Sequence, residues 1–280
     1  MGRLENLFTI CLLFEICFFK FFNLIFYLIR FAIFNYICFR KIRKMNISYF
    51  DTYDELSQKA ADIIANDLKV KKDLFFCAAT GGSPTGMYAQ MSKVKKSEPT
   101  LFDEMQVMKM DEWGIIPSSH PDSCESYLQK HLLAPLSISQ DRYLTFDPNV
   151  SILPAECARV EQEMEAIGPI DICILGLGKN GHIAFNEPAN YLQRGFHKAV
   201  LAPSTTQHDP SLNEGKEPAF GLCLGMSGIM QSKRIIFLVT GKGKQEAIKM
   251  ILERKITTQW PASFLWMHGN VDCLIDRNSL

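Results

Sequence analysis

The chain has 280 residues, and its 30 Lys and Arg balance its 30 Asp and Glu, so the formal net charge is zero. This balance hides a split, because residues 1 to 44 carry about +5 and the rest of the chain carries about −5. An acidic body argues against a nucleic-acid partner, and its roughly 236 residues suit one α/β domain with a single core.

The first 44 residues differ in composition from the rest. They contain ten of the 20 phenylalanines, whereas Val and Pro are absent. Glu15, Lys20 and Arg30 interrupt the apolar run, so no stretch of about 18 uncharged residues remains for a membrane helix, and no small-residue cleavage site marks a secretory signal. Translated AT-rich noncoding DNA also has this composition, which favours a native start at Met45 over a membrane anchor.

Both interpretations of residues 1 to 44 place the body in the cytoplasm. If the segment were an anchor, the basic run from 40 to 44 would hold the following domain on the cytoplasmic side. Free cysteines inside predicted strands and helices agree with a reducing compartment. We expect a membrane contact only if residues 1 to 44 belong to the native protein.

From Met45 onward, apolar runs alternate with amphipathic segments. After a strand-like stretch at 46 to 50, the predicted elements in chain order are helix 51 to 68, strand 74 to 79, helix 83 to 94, strand 105 to 109, helix 122 to 133, helix 154 to 167, strand 170 to 176, strand 220 to 224, strand 235 to 240, helix 244 to 253 and strand 271 to 275. This alternation predicts an α/β fold with a doubly wound, mainly parallel, Rossmann-like sheet in a single domain, 45 to 280. The polar stretch 190 to 218 indicates a lid or active-site loop, or else a surface insertion.

The first motif is a glycine-rich loop after the strand that ends near Ala79. Gly81 and Gly82 precede Ser83, a candidate N-cap, and Pro84, which suits a first helical position. Backbone amides and the helix dipole converge there, so the loop is a candidate phosphate cradle. It lacks the Gly-Lys-Ser/Thr ending of a nucleotide P-loop.

The second motif is a carboxylate pair, Asp111 and Glu112, at the end of the strand 105 to 109. Open α/β sheets bind their ligands at this edge, so one of the two is a candidate base. The alternative is that the pair caps a helix or turn.

The third motif follows the strand 170 to 176, where Gly176, Gly178 and Gly181 turn the chain and present His182. Glu187 follows five residues later, close enough to accept a hydrogen bond from the ring and fix its tautomer. Taken alone, the segment is equally typical of a βα loop with a surface histidine, because a lone Gly-x-Gly is a weak signal.

Together these motifs resemble the glucosamine/galactosamine-6-phosphate isomerase and deaminase family, within the group that also holds 6-phosphogluconolactonase. The resemblance covers roughly residues 47 to 275, and its motifs occur in family order: 79 to 84, 110 to 112, 181 to 188, 240 to 244 and 261 to 263. The stretches 176 to 182, 238 to 245 and 261 to 266 are most similar to the galactosamine-6-phosphate isomerase branch. The lactonase branch lacks the Asn-Glu-Pro ending found at 186 to 188.

The resemblance implies ring opening, a proton transfer between carbons 1 and 2 that converts an aldose to a ketose, and release of ammonia. It implies that Asp111 is the base at carbon 2 and that His182, held by Glu187, moves a proton to and from the ring oxygen. Lys244 would bind the substrate phosphate with the amides of Gly81, Gly82 and Ser83. No metal or other cofactor is expected, since the nine cysteines form no close CxxC pair and the six histidines are scattered.

Two positions depart from the deaminase pattern. Asn180 stands where deaminases usually carry Asp, so the histidine loses one of two flanking carboxylates. Deaminases also bring an arginine to the phosphate from a mobile segment, whereas the stretch 204 to 211 contains none. Lys244, hydroxyls and the candidate lid contact His208 are the groups left to hold the phosphate.

The resemblance predicts a deaminating isomerase of an amino-sugar 6-phosphate, with galactosamine-6-phosphate converted to tagatose-6-phosphate and ammonia. Three alternatives stay open: a glucosamine-6-phosphate deaminase, a 6-phosphogluconolactonase and a non-catalytic regulator that binds a sugar phosphate. The expected partner is a small amino-sugar phosphate, and a homo-oligomer is among the open oligomeric states.

Overall fold

The computed structural model describes residues 45 to 114, 116 to 206 and 220 to 280, which belong to one compact unit. Residues 1 to 44 and His208 lie outside this part of the chain, so the expectations about a start at Met45, an anchor and a lid contact stay predictions. None of the helices in these ranges combines the length and the apolar character that a membrane span requires.

In the described residues, seven strands form a central sheet in which every pair is parallel. The strands are β1 (Asn46–Phe50), β2 (Phe75–Ala78), β3 (Gln106–Lys109), β5 (Tyr143–Leu144), β6 (Ile172–Gly176), β9 (Arg234–Val239) and β10 (Val271–Asp276). Their order across the sheet is β1-β10-β9-β6-β2-β3-β5. The prediction of an α/β fold with a mainly parallel sheet is confirmed.

The direction in which strands are added reverses between β2 and β6, which are neighbours in the sheet. After β2 the chain adds β3 and β5 on one side, whereas after β6 it adds β9 and β10 on the other. The loops that follow β2 and β6 therefore diverge and leave a crevice at the carboxyl edge of the sheet. Because these are the two glycine-rich loops, the topology brings them together.

A second, antiparallel sheet follows the end of β3. It has the order β4 (Asp111–Trp113), β8 (Phe220–Cys223) and β7 (His197–Val200). The predicted strand 220 to 224 is present but belongs to this sheet, whereas β4 and β7 were not predicted. Both are short and polar, so neither gives the apolar run that marks a buried strand.

The helices of the described residues are α1 (Tyr53–Val70), α2 (Gly82–Ser97), α3 (Cys124–Leu128), α4 (Ala134–Leu136), α5 (Leu153–Ile167), α6 (Pro203–Thr206), α7 (Met226–Gln231) and α8 (Gln245–Leu252). A capping box between Thr52 and Glu55 begins α1, and residues spaced four apart, such as Leu56, Ala60 and Ile64, are fully buried. The helix predicted over 122 to 133 is α3 followed by a π-helical segment, Gln129–Leu133. Three further segments, Gln140–Arg142, Pro261–Met267 and Arg277–Ser279, are 3₁₀-helical.

Candidate active site

A cavity of about 310 Å³ opens in the crevice between the loops after β2 and β6. Such a volume suits a small ligand. Its wall includes predicted site residues from four separate segments of the chain, namely Gly81, Asp111, His182 and Lys244. The fold therefore brings the separate sequence motifs to one place.

The loop after β2 turns at Gly81, whose φ of +96° is a conformation that favours glycine. Two tyrosines bind the loop carbonyls: Tyr127 Oη donates to Gly81 O at 2.8 Å, and Tyr53 Oη donates to Gly82 O at 2.7 Å. The first amides of α2 have no acceptor within the helix, so they are left for a ligand.

The prediction that Ser83 is the N-cap is wrong, because α2 begins at Gly82 and Gly81 is its N-cap. Glycine at 81 and 82 lets the chain enter the helix two residues earlier than the Ser-Pro signal indicates. Ser83 Oγ instead accepts a hydrogen bond from Thr240 Oγ1 at 2.8 Å. This bond joins the start of α2 to the residue after β9, and of the predicted phosphate-binding residues Gly81, Gly82 and Ser83 only Gly81 lines the cavity.

Asp111 is the carboxylate that faces the cavity, and its side chain is almost fully buried. The one hydrogen bond that the described residues give its carboxylate is a weak one, from Cys124 Sγ at 4.0 Å. Burial, and then the negative charge of Glu112, raise the pKa of Asp111 to about 7, although the nearby Lys109 ammonium acts in the opposite direction. A carboxylate in this state is a suitable proton acceptor near neutral pH.

Glu112 has a different role and fits the capping interpretation. Its carboxylate accepts the backbone N–H groups of Cys124 and Glu125, both at 2.8 Å, which are the first two residues of α3. Its Oε2 also pairs with the fully buried Lys109 Nζ at 3.0 Å. Lys109 in turn reaches Glu125 Oε2 at 3.1 Å. Glu112 thus fixes β4 against α3 and leaves Asp111 as the candidate base.

The loop after β6 places the His182 ring directly against the backbone of Gly178. A Cβ atom built on Gly178 would lie 2.3 Å from His182 Cε1, so any side chain at 178 would displace the ring. Gly181 adopts a φ of +83° at the turn that leads into His182. Two of the three predicted glycines are therefore required by the position of the histidine.

Asn180 is the nearest partner of the imidazole. Its Oδ1 lies 2.8 Å from His182 Nδ1 and also accepts the His182 backbone N–H at 3.2 Å. Because an amide oxygen accepts and cannot donate, Nδ1 carries a proton. The Nε2 atom makes no hydrogen bond within the described residues, and it is the nitrogen left for a substrate.

Glu187 lies behind this pair, with Oε2 at 3.5 Å from His182 Nδ1. Asn180 Nδ2 donates to the same oxygen at 2.7 Å, and Thr205 Oγ1 donates to Oε1. Burial alone would raise the pKa of Glu187, but the hydrogen bond and charge of His182, together with Thr205 and Asn180, hold it at about 2. A permanent negative charge therefore supports the imidazole through a hydrogen-bonded network.

Lys244 reaches the cavity from the residue before α8 and is half-buried. Burial, and then the positive charge of Lys179, lower the pKa of Lys244 to about 8. The predicted lid contact His208 lies outside the described residues, so its role stays a prediction. Among the described residues, no group of three or more His, Cys, Asp or Glu is placed to hold a metal ion.

The sequence indicated hydroxyls of the stretch 204 to 211 without choosing among them, and Ser204 and Thr205 of α6 line the cavity. It missed the rings of Trp113 and Phe185, which also line the cavity and whose centroids are 4.6 Å apart. The hydroxyl-rich stretch that begins at 204 was a usable signal for Thr205. The aromatic pair had none, because Trp113 and Phe185 come together only when β4 leaves the central sheet.

This arrangement can perform acid–base chemistry on a small anionic molecule. A proton acceptor, an oriented imidazole and an ammonium group face one cavity from different elements. Asp111, with a pKa of about 7, exchanges its proton readily near neutral pH, and Lys244, with a pKa of about 8, is mostly charged there. The phosphate-binding and catalytic roles of the individual residues stay predictions.

Similarity to known proteins covers most of the chain. The family described as "Glucosamine-6-phosphate isomerases/6-phosphogluconolactonase" matches residues 51 to 273. The protein named "Putative deaminase AgaI" from Escherichia coli (strain K12) is 35% identical over 226 residues, which cover 81% of this chain and 90% of that protein. "Glucosamine-6-phosphate deaminase 1" from Bacillus subtilis (strain 168) is 36% identical over 239 residues, 84% of this chain and 98% of that protein. A solved monomeric glucosamine-6-phosphate deaminase is 36% identical with a TM-score of 0.78, covering 83% of this chain and 98% of that one.

Proposed function

The chain belongs to the family of glucosamine-6-phosphate isomerases and 6-phosphogluconolactonases, and we propose that it is an enzyme that isomerises and deaminates an amino-sugar 6-phosphate. The observation that carries this proposal is Asp111: a buried carboxylate with a pKa of about 7 that faces the same cavity as His182 and Lys244. A base with this pKa is half ionised at neutral pH and strong enough to take a proton from a carbon next to a carbonyl.

The reaction begins with ring opening at His182. Its Nε2 takes the proton of the hydroxyl on carbon 1 and gives it to the ring oxygen, which breaks the bond between carbon 1 and that oxygen. Glu187 and Asn180 stabilise the charged imidazolium that exists between the two transfers, through the contacts at Nδ1. The product is the open-chain aldehyde.

The proton transfer between carbons then takes place at Asp111. The carboxylate removes the proton of carbon 2 and returns it to carbon 1, while the oxygen on carbon 1 gains a proton that the amino group loses, so the amino aldehyde becomes an imine at carbon 2 with a hydroxyl on carbon 1. Addition of water to the imine carbon releases ammonia and leaves the ketose 6-phosphate. The Trp113 and Phe185 rings give the cavity an apolar wall beside these carbons.

Galactosamine-6-phosphate is the proposed substrate, and tagatose-6-phosphate with ammonia is the proposed product. The support is the similarity of the stretches 176 to 182, 238 to 245 and 261 to 266 to the galactosamine-6-phosphate isomerase branch. Glucosamine-6-phosphate is the second candidate, favoured by the names of relatives at 36% identity. The two sugars differ only in the orientation of the hydroxyl on carbon 4.

The test is a side-by-side assay of ammonia and ketose formation from the two amino-sugar phosphates, with 6-phosphogluconolactone as a third substrate. We expect ammonia from both amino sugars, with a kcat/KM at least about tenfold higher for galactosamine-6-phosphate. The reverse ratio would assign the enzyme to glucosamine-6-phosphate. Hydrolysis of the lactone without ammonia release would identify a lactonase, and binding without turnover would identify a regulator. The cytoplasmic location is part of the proposal, and cell fractionation with an antibody tests it.

A further inference from the structure

Two lysines reach the cavity from the loops that follow the neighbouring strands β6 and β9. Lys179 follows β6, and Lys244 follows the turn after β9, where Gly241 and Gly243 both have positive φ. The Lys179 side chain lies against this turn: a Cβ atom built on Gly243 would be 3.5 Å from Lys179 Cε and 4.0 Å from its Nζ. The ammonium group of Lys179 therefore lies beside the residue that precedes Lys244.

Neither lysine has an anionic partner in the part of the chain that the structure describes. Within the described residues, Lys179 and Lys244 form no hydrogen bond and no ion pair, whereas Lys71, Lys109 and Lys233 each pair with a carboxylate. The nearest acid of the loop, Glu187, is already bonded to Asn180 and Thr205. Lys179 is exposed and Lys244 is half-buried, and the charge of Lys179 is close enough to act on Lys244.

This arrangement is unfavourable unless an anion is bound. Burial and the charge of Lys179 both lower the pKa of Lys244, so the free protein gives up part of the positive charge there above pH 8. A ligand with two negative charges would remove the repulsion and bond both ammonium groups. A phosphate monoester carries nearly two charges at neutral pH and offers three oxygen acceptors.

We propose that Lys179 is a second phosphate-binding residue, which bonds one oxygen of the substrate phosphate while Lys244 bonds another and the first amides of α2 bond the third. This inference rests on the proposed function, since it assigns the phosphate of that substrate. It also gives the site a second cation in a chain whose stretch 204 to 211 contains no arginine. Lysine is suited to this task as a compact charge that can approach an oxygen from one side.

The test is equilibrium binding of inorganic phosphate, measured by titration calorimetry at low salt, to the wild type and to Lys179→Gln, Lys244→Gln and Lys179→Arg. Loss of one charged hydrogen bond weakens binding by about 10- to 100-fold, so we expect this loss in each Gln variant. Lys179→Arg keeps the positive charge, and we expect its phosphate affinity to be close to that of the wild type. Lys242→Gln is the matched control, because Lys242 lies in the same turn, is exposed and does not line the cavity.

Wild-type phosphate affinity in Lys179→Gln would overturn the inference, as would an equal loss in Lys242→Gln. A folding defect is separated from a binding defect by the Lys179→Arg variant, since a merely structural lysine would not be rescued by charge alone. The inference and the proposed function fail separately. If amino-sugar phosphates are turned over but Lys179→Gln keeps the wild-type KM and phosphate affinity, only the inference fails. If phosphate binding depends on Lys179 but no ammonia is released, only the proposed function fails.

Discussion

The Asp111→Asn substitution is expected to stabilise the protein while it removes activity. Asp111 is buried, receives one weak hydrogen bond from Cys124 and lies close to the negative charge of Glu112. These conditions disfavour its charged form, which is the form that a base needs. Asparagine has nearly the same shape and carries no charge, so it removes the unfavourable interaction.

The magnitude follows from the two pKa values of Asp111. The pKa is about 7 in the folded protein and about 3.9 in an unfolded chain, and this difference corresponds to about 4 kcal/mol. The unfolded chain loses the proton first, so the favourable contribution of protonated Asp111 is complete below pH 3.9. It is lost as the pH rises to 7. The free energy of unfolding of the wild type should therefore decrease by about 4 kcal/mol, relative to that of Asp111→Asn, as the pH rises from 4 to 8.

The assay is urea unfolding of both proteins at several pH values from 4 to 8, without ligand. Asp73→Asn is the matched control, since Asp73 is exposed and makes no ion pair within the described residues, and its free energy of unfolding should follow the wild type at every pH. A constant difference between Asp111→Asn and the wild type across this range would contradict the raised pKa of Asp111.

Three further substitutions test other parts of the site. Gly178→Ala places a methyl group within 2.3 Å of the His182 ring, so kcat should fall at least about tenfold, and unchanged kcat would show that the ring position is not required. Glu187→Gln should slow turnover of the closed-ring sugar phosphate by about 100-fold and spare an open-chain analogue, because the support for the imidazolium matters only in ring opening. Equal losses on both substrates would indicate a structural role. Lys109→Met leaves the Glu112 carboxylate buried without its cation and should lower the free energy of unfolding by about 3 to 5 kcal/mol in urea titrations, whereas a loss below about 1 kcal/mol would contradict the importance of this pair.

The sequence predicted six of the seven central strands of the described residues, because most of them are apolar runs and their alternation with amphipathic helices is a strong signal; the two-residue strand β5 was missed. Ile172 to Leu175 is fully buried in the parallel sheet, as its composition indicates. The short strand β4 gave no such signal. Two of its three residues, Asp111 and Glu112, are depleted in strands; Asp111 faces the cavity and Glu112 pairs with Lys109.

Site prediction succeeded where backbone geometry constrains the residue type. Gly178 and Gly181 are needed to place His182, and the sequence shows them directly. The carboxylate pair by itself left Asp111 and Glu112 as equal candidates, and only the family resemblance pointed to Asp111; the structural difference arises because Glu112 binds the first amides of α3. Sequence reasoning also missed Lys179, because its proposed role in phosphate binding depends on its contact with the turn at Gly243, more than 60 residues away in the chain.

The central claim is that Asp111 transfers the proton between carbons 1 and 2. It is tested most directly with an amino-sugar 6-phosphate that carries deuterium at carbon 2, by following the label into carbon 1 of the ketose or into solvent by NMR. The wild type should move the label with a rate that rises with pH toward a plateau above about 7, as Asp111 ionises. Asp111→Asn should bind the sugar phosphate and leave the label at carbon 2. Movement of the label by Asp111→Asn at the wild-type rate would contradict this assignment of the base.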